Sequence, residues 1–334
     1  MPVIDVHAHV TPDRYKEAIR TTGSWHGLGP EAGELNRAGF NTSLPDRLAE
    51  MDAMGVDVQL ITPTVGFYQY DKDLAVTSVV ARDCNDAIAE IVEQHPDRFA
   101  GLGITPMQDV PSTIAEMERV VRDLGLKGVV IGDHVNGHTY DEPGFLPFFR
   151  AAEDLGAIVF FHQGKDTCVQ QRISRYSLPN AVGNLTDRTL TFATLVFGGV
   201  MDACPDLKPL LAHGGGYAAF GAGRLDKVAG AFEGGYPDGP LTPPFGAEWT
   251  EKLVITRPPS TYLPQFHYDC CTYDGPALRF VIDTVGIDRV MLGTDYPAPM
   301  FLKDPVRWVN GLDVLTDAEK QAILSDNAAA LLDL

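Results

Sequence analysis

Two histidines, His7 and His9, stand two residues apart in the opening run IDVHAHV. In an extended strand alternate side chains point the same way, so both imidazoles face one side and can share a metal ion. Asp5 lies on the same face, one layer deeper. Three further polar groups stand directly behind apolar runs: His162 in AIVFFHQG, His213 in LKPLLAHGGG and Asp295 in RVMLGTDYP. Imidazoles and a carboxylate form a borderline donor set for one divalent ion, Zn²⁺ first, with Mn²⁺ or Fe²⁺ also compatible. Such an ion is a Lewis acid toward water or substrate oxygens. A histidine beside it can move protons near neutral pH. Taken singly, each residue has an ordinary structural reading, so a site requires elements that bring these strand ends together.

The sequence supplies such elements by alternating short β-branched runs with longer helical stretches. Strands are predicted over residues 3–9, 57–62, 99–105, 128–131, 158–162, 209–213, 266–271 and 289–294. Helical patterns cover 44–54, 73–94, 111–124, 144–155, 189–203, 277–285 and 305–315. Ser43, followed by Pro45 and Asp46, opens one helix and Gly55 ends it. Asp109, Pro111 and Ser112 open another that ends at Gly125, while Gly156 and Gly286 close two more. This alternation implies parallel strands joined by right-handed crossovers. Eight such units predict an α/β fold, a (β/α)8 TIM barrel formed as one decorated domain over residues 1–334. An open doubly wound sheet would show a Gly-rich phosphate turn after an early strand, where this chain has His-Ala-His.

Three connections are long: 10–42, 164–188 and 231–265. All follow the C-terminal end of a strand or its first helix. They read as loop insertions at the catalytic face of the barrel, as pocket walls or as a subunit contact. Tyr176 falls in the second of them and is a candidate to cover a planar substrate. Asp133 and His134 follow the fourth strand as loop residues that could approach the site. Gly214, Gly215 and Gly216 let backbone pass close by or open the next helix. No Lys-Ser/Thr follows them to complete a phosphate cradle.

Composition limits the partners. The chain has 26 Lys+Arg against 45 Asp+Glu, a net charge of −19, which argues against nucleic acid and anionic membrane surfaces. Its 45% hydrophobic content excludes a disordered chain. No apolar run reaches the ~18 residues of a membrane span. The first residues lack the basic-then-apolar pattern of a signal peptide. Five cysteines without a C-x-x-C pair read as free thiols in a reducing compartment, so a cytoplasmic location is expected. An anionic substrate would need positive charge supplied locally.

The runs IDVHAHV, DRLAEMDAMGVDVQ, FFHQG, LAHGGGYAAFGAGRLD and LGTDYP occur in this order through nearly the whole chain. Together they resemble the amidohydrolase-2 branch of the amidohydrolase superfamily. That branch holds aminocarboxymuconate-semialdehyde decarboxylase and related metal-dependent decarboxylases. The resemblance implies one catalytic metal held by His7, His9, His162 and Asp295. It also implies His213 as the acid/base residue, with Asp295 combining ligation and proton transfer. Arginines at the positions of Arg47 and Arg224 would hold substrate carboxylates, the second across a dimer interface. The chain would then be a homodimer or higher homo-oligomer. The surface alternative for each arginine is an ordinary salt bridge. Binuclear members of the superfamily use a carboxylated lysine at the end of the fourth strand. Here Lys127 stands at its start, which fits a single metal.

The implied activity is non-oxidative decarboxylation of an unsaturated or aromatic carboxylic acid. The alternative on the same site is a hydrolase or hydratase of a cyclic amide, ester or conjugated acid. A barrel that has lost catalysis and only binds is a further class, disfavoured by the retention of every ligand type. Ala298 and Tyr273 depart from the decarboxylase pattern and leave the substrate open.

Overall fold

Eight parallel strands follow one another around a ring. They are β1 (Ile4–Val10), β2 (Val58–Pro63), β3 (Phe99–Gly101), β4 (Gly128–Ile131), β5 (Ile158–Phe161), β6 (Lys208–Leu211), β7 (His267–Asp269) and β8 (Val290–Met291). The computed structural model describes residues 1–234 and 254–334. Most of the third long connection, with its Pro/Gly-rich run, lies outside them.

The ladders run β1-β2-β3 and β4-β5-β6-β7-β8. Two seams join them. Gly103 bridges Val129, donating to the Gly128 carbonyl at 2.9 Å and accepting from Val130 N at 2.8 Å. On the other side Val6 N donates to Leu292 O at 2.8 Å and Asp295 N donates to His7 O at 2.8 Å. The ring closes there as a (β/α)8 barrel, as the alternation predicts. β2 and β5 are buried at every position, as parallel strands covered by helices must be.

Helix boundaries follow the local chemistry. Ser43 Oγ accepts from Asp46 N and caps Leu44–Met54, and Gly55 ends that helix at φ +72. Asp109 accepts from Ser112 N to cap Val110–Arg122. The helix predicted over 189–203 is instead two pieces, Leu185–Phe197 and Val200–Ala203, interrupted at Gly198 and Gly199, the latter at φ +74. The first long connection holds a helix of its own, Asp13–Thr22, that the sequence pattern did not predict.

Below the rim, a polar network ties the wall together. Asp5 Oδ1 accepts from His7 N at 3.0 Å and from Thr294 N at 2.9 Å. Its Oδ2 accepts from Thr294 Oγ1 at 2.6 Å and from Gln59 Nε2 at 3.0 Å. Gln59 Oε1 in turn accepts from Arg47 Nε at 2.9 Å. The network therefore fixes β1, β2 and the β8 exit in one register, so that His7 and His9 stand at a defined height above it.

Candidate metal centre

The strand ends bring the predicted ligands together. One donor atom from each of His7, His9, His162 and Asp295 lies within 4.8 Å of the others, and all four residues are buried. His7 Nε2 and His9 Nε2 are 3.2 Å apart, and each is 3.2 Å from Asp295 Oδ1. His162 Nε2 is 4.0 Å from the same oxygen.

The outer ring nitrogens are held from behind. His7 Nδ1 bonds Asp269 Oδ2 at 2.6 Å, and His9 Nδ1 bonds Thr62 Oγ1 at 2.9 Å. These bonds orient both rings so that Nε2 faces the cluster, the arrangement that second-shell partners give metal-ligating histidines. Among the described residues His162 has no partner on either ring nitrogen. An imidazole that is wholly buried with both nitrogens unmet is costly unless a ligand meets one of them. The donor set and this orphaned ring therefore fit one divalent cation.

Electrostatics agree. Burial, helped by His9 and His7, pushes His162 well below 6.5 and keeps it neutral, the form that ligates. Burial opposes a proton on His7, but Asp295 and Asp269 outweigh it and raise His7 to about 10. Burial likewise opposes charge on Asp295, yet His7, His213 and His9 hold that carboxyl well below the usual range. The cluster is thus an anionic carboxylate among imidazoles, with one positive charge drawn to it.

His213 Nε2 lies 3.8 Å from Asp295 Oδ2. Both residues have left-handed backbones, φ 57 and φ 61, and strain of this kind in non-glycine residues concentrates at functional sites. Asp269 fixes His213 as well, accepting from His213 N and Gly214 N at 2.9 Å each. Gly216, at φ +64, must be glycine because a Cβ would stand 2.1 Å from Leu185 O. A cavity of about 370 Å³ opens above this pair, lined by His213 and Asp295 with Leu185, Phe280, Val281 and Met300.

The remaining predicted residues lie elsewhere. Arg47, expected at a substrate carboxylate, is buried behind β1. Its Nε is taken by Gln59, its Nη1 donates to His9 O at 2.7 Å, and its plane lies 4.8 Å from the Tyr296 ring. Two of its three nitrogens are thus engaged in the wall. Tyr176, expected to cover the substrate, is 78% exposed beside Arg175 and lines neither large cavity. Arg224 is exposed on the helix Ala218–Gly234 and does not line its own chain's cavity. Its neighbour Asp226 accepts instead from Ser260 N at 2.7 Å.

Asp269 and Thr62 were not predicted. Asp269 ends β7 as His162 follows β5, but the run before it, QFHY, is broken by Gln265 and His267, so the apolar-run signal that marks His162 was missing. Asp133 lies in the loop after β4, as expected. It is buried and paired with Arg188, Nη1 to Oδ1 at 2.5 Å.

A closed barrel with three imidazoles and a carboxylate at its C-terminal rim defines a metal-binding enzyme of the TIM-barrel class. The chain belongs to the amidohydrolase family, whose pattern it matches over residues 4–334. It is 31% identical to the 2-amino-3-carboxymuconate-6-semialdehyde decarboxylase of Dictyostelium discoideum, across 99% of this chain and 91% of that one. A 2-keto-4-carboxy-3-hexenedioate hydratase of Sphingobium is 22% identical across 98% of this chain and 95% of its own. The crystal structure of 5-carboxyvanillate decarboxylase from Sphingomonas paucimobilis superposes with a TM-score of 0.82 at 28% identity, covering 100% and 99% of the two chains. A dihydroxybenzoic acid decarboxylase from Polaromonas, solved with manganese and 2-nitroresorcinol, shares the fold at TM-score 0.81 and 21% identity, covering 100% and 97%.

Proposed function

We propose that the chain is a metal-dependent, non-oxidative decarboxylase of an unsaturated or aromatic carboxylic acid. One observation carries this reading. His213 stands beside the ligand cluster, on the floor of a cavity whose other walls are largely apolar. A divalent ion held by His7, His9, His162 and Asp295, Zn²⁺ by its donor set and Mn²⁺ as the alternative, would supply Lewis acidity to substrate oxygens. His213 then delivers a proton to the carbon that bears the leaving carboxylate. As that C–H bond forms, the C–C bond breaks and its electron pair returns to the unsaturated system as carbon dioxide departs. Asp295 Oδ2, 3.8 Å from His213 Nε2, stands beside the ring that makes the transfer. The apolar walls exclude water from the carbon being protonated.

Arg47 serves in this reading as a positioning residue that holds the His9 carbonyl. Arg224 is exposed and does not line its own chain's cavity, and it follows Phe220 by four residues, so the two share a helix face. Phe220 is 83% exposed at the cavity mouth, an apolar surface that a second copy of the chain would cover. We infer a homodimer in which Arg224 reaches the neighbouring cavity. The cytoplasm is the location that suits its five free cysteines.

Release of carbon dioxide by the metal-loaded protein from 2,6-dihydroxybenzoate, 5-carboxyvanillate or an amino-carboxymuconate semialdehyde tests the reaction. Turnover of an amide, lactone or conjugated acid without carbon dioxide would make it a hydrolase or hydratase.

A further inference from the structure

Tyr273 departs from the decarboxylase pattern, and the reaction as described gives it no part. It stands in the turn CCTYDG, between β7 and the helix Gly275–Val285. Its backbone is left-handed, at φ 58. Glycine, asparagine and aspartate take that conformation at small cost, whereas a bulky ring there is an outlier. Ten non-glycine residues among the described ones have such backbones. Three of them, His213, Tyr273 and Asp295, line the same cavity of about 370 Å³. The other two are the proposed proton donor and a proposed ligand. Strain of this kind gathers at ligand clamps.

The turn is held from both sides. Before Tyr273, Asp269 Oδ1 accepts from Cys271 N at 3.0 Å, and Thr272 N donates to Cys270 O at 2.6 Å. After it, Asp274 Oδ2 accepts from Ala277 N at 2.9 Å and caps the helix. Thr272 also presses on the backbone beside His213, since a Cβ on Gly214 would stand 2.9 Å from its Cγ2. The carboxylate that anchors this turn is the one that holds the His7 ring and the His213 backbone. Tyr273 is thus fixed relative to the ligand cluster, in a conformation its side chain does not favour.

A second tyrosine on the same cavity supplies a contrast. Tyr217 is 39% exposed and Tyr273 41%, yet only Tyr273 has a left-handed backbone. No hydrogen bond among the described residues engages the Tyr273 hydroxyl. Burial, then the nearby Cys271, Asp295 and Asp269, push its pKa far above 10. The hydroxyl is therefore an uncharged donor at the acidic end of the cavity. An acid bound with its carboxylate toward the metal brings a second negative charge beside Asp295. Phe280, Val281 and Met300, on the same cavity, offer that charge no donor. A phenol meets it with an O–H and adds no charge of its own.

We propose that Tyr273 is a substrate-binding residue whose hydroxyl donates a hydrogen bond to a carboxylate oxygen of the acid held at the metal. For the kind of ligand this rests on the decarboxylase reading, and it is tested without turnover.

Titration calorimetry of the Mn²⁺-loaded protein with benzoate reads it directly. Tyr273→Phe removes one hydroxyl and keeps the ring. It is expected to weaken benzoate about tenfold with metal content unchanged. Tyr217→Phe makes the same change on the same cavity and is expected to leave the affinity within about twofold. Affinity that Tyr273→Phe leaves unchanged, an equal loss in Tyr217→Phe, or an unaltered protein that does not bind benzoate overturns the proposal. A loss confined to Tyr273→Phe, in a protein that releases no carbon dioxide from any acid, keeps the proposal and sinks the decarboxylase reading.

Discussion

Two polar layers in this barrel are built from similar residues and finished differently. The lower one joins Asp5, Gln59, Arg47 and Thr294, and both Asp5 oxygens and both Gln59 termini are paired. The upper one holds His162, Asp133, Arg188 and His213, and each leaves at least one buried atom unmet among the described residues. The lower layer leaves one such atom, Arg47 Nη2, and otherwise takes its partners from within the chain as scaffold. The upper layer leaves an unmet atom on every one of its four residues, which is where an outside group could bind. Satisfaction of hydrogen bonds, more than residue type, separates the two.

Four substitutions or conditions would break or sharpen that contrast. The largest effect is expected from His162→Ala in the upper layer. Metal retention should be lost and turnover should fall at least about a thousandfold, with the melting temperature of the metal-free protein little changed. Metal analysis beside circular dichroism checks this, and full occupancy in the variant would remove His162 from the ligand set. Gln59→Leu in the lower layer should do the opposite. It strands Asp5 and Arg47 together in the wall and should cost about 3 kcal/mol of stability in a denaturant titration. Metal stoichiometry in the folded fraction should stay at one.

Asp269→Asn lies between the layers, because Asp269 holds both the His7 ring and the His213 backbone. Metal affinity is expected to fall about 10- to 100-fold, read by competition with a chelator. The effect furthest from the ligand cluster concerns His267 at the opposite end of β7. Burial, with help from Arg289, lowers its pKa to about 4. Between pH 6.5 and 4 the unfolded chain binds a proton that the folded chain refuses. Stability should therefore fall as pH drops through that window, by up to ~1.4 kcal/mol per unit, and level off near pH 4. His267→Gln should flatten this part of the profile. His267 also has an unmet nitrogen, Nδ1, yet no cavity ligand is expected there. An unchanged metal affinity in His267→Gln would show that unmet atoms mark a site only where they gather.

The sequence was most legible where a single residue determines local geometry. Ser43 and Asp109 cap the helices they were expected to cap, because a side-chain oxygen and a backbone N–H three residues on are close by covalent connection. The candidate ligand cluster was readable because strand alternation and barrel closure leave few choices for a polar residue after an apolar run. Arg47 was not. Its helix was correctly placed, but which partners a long side chain finds depends on Gln59 and the His9 carbonyl across the wall. The pairing of Asp133 with Arg188 spans 55 residues and leaves no local periodic trace. Tyr176 stands exposed, away from both large cavities of its own chain, and a loop's path is fixed by contacts that its composition does not encode.

The seam at which β1 meets the β8 exit also sets an order of events. His7 and His9 are made early, whereas Asp295 follows His9 by 286 positions. At ~5–20 residues per second, the ribosome takes about 15 to 60 seconds to cover that distance. Until then the nascent chain has imidazoles to offer a cation but no carboxylate at the centre. Asp295 N closes the ring on His7 O, so a complete ligand set and a closed barrel arrive together. On the proposed ligand set, metal loading would therefore report that the two ends of the fold have met.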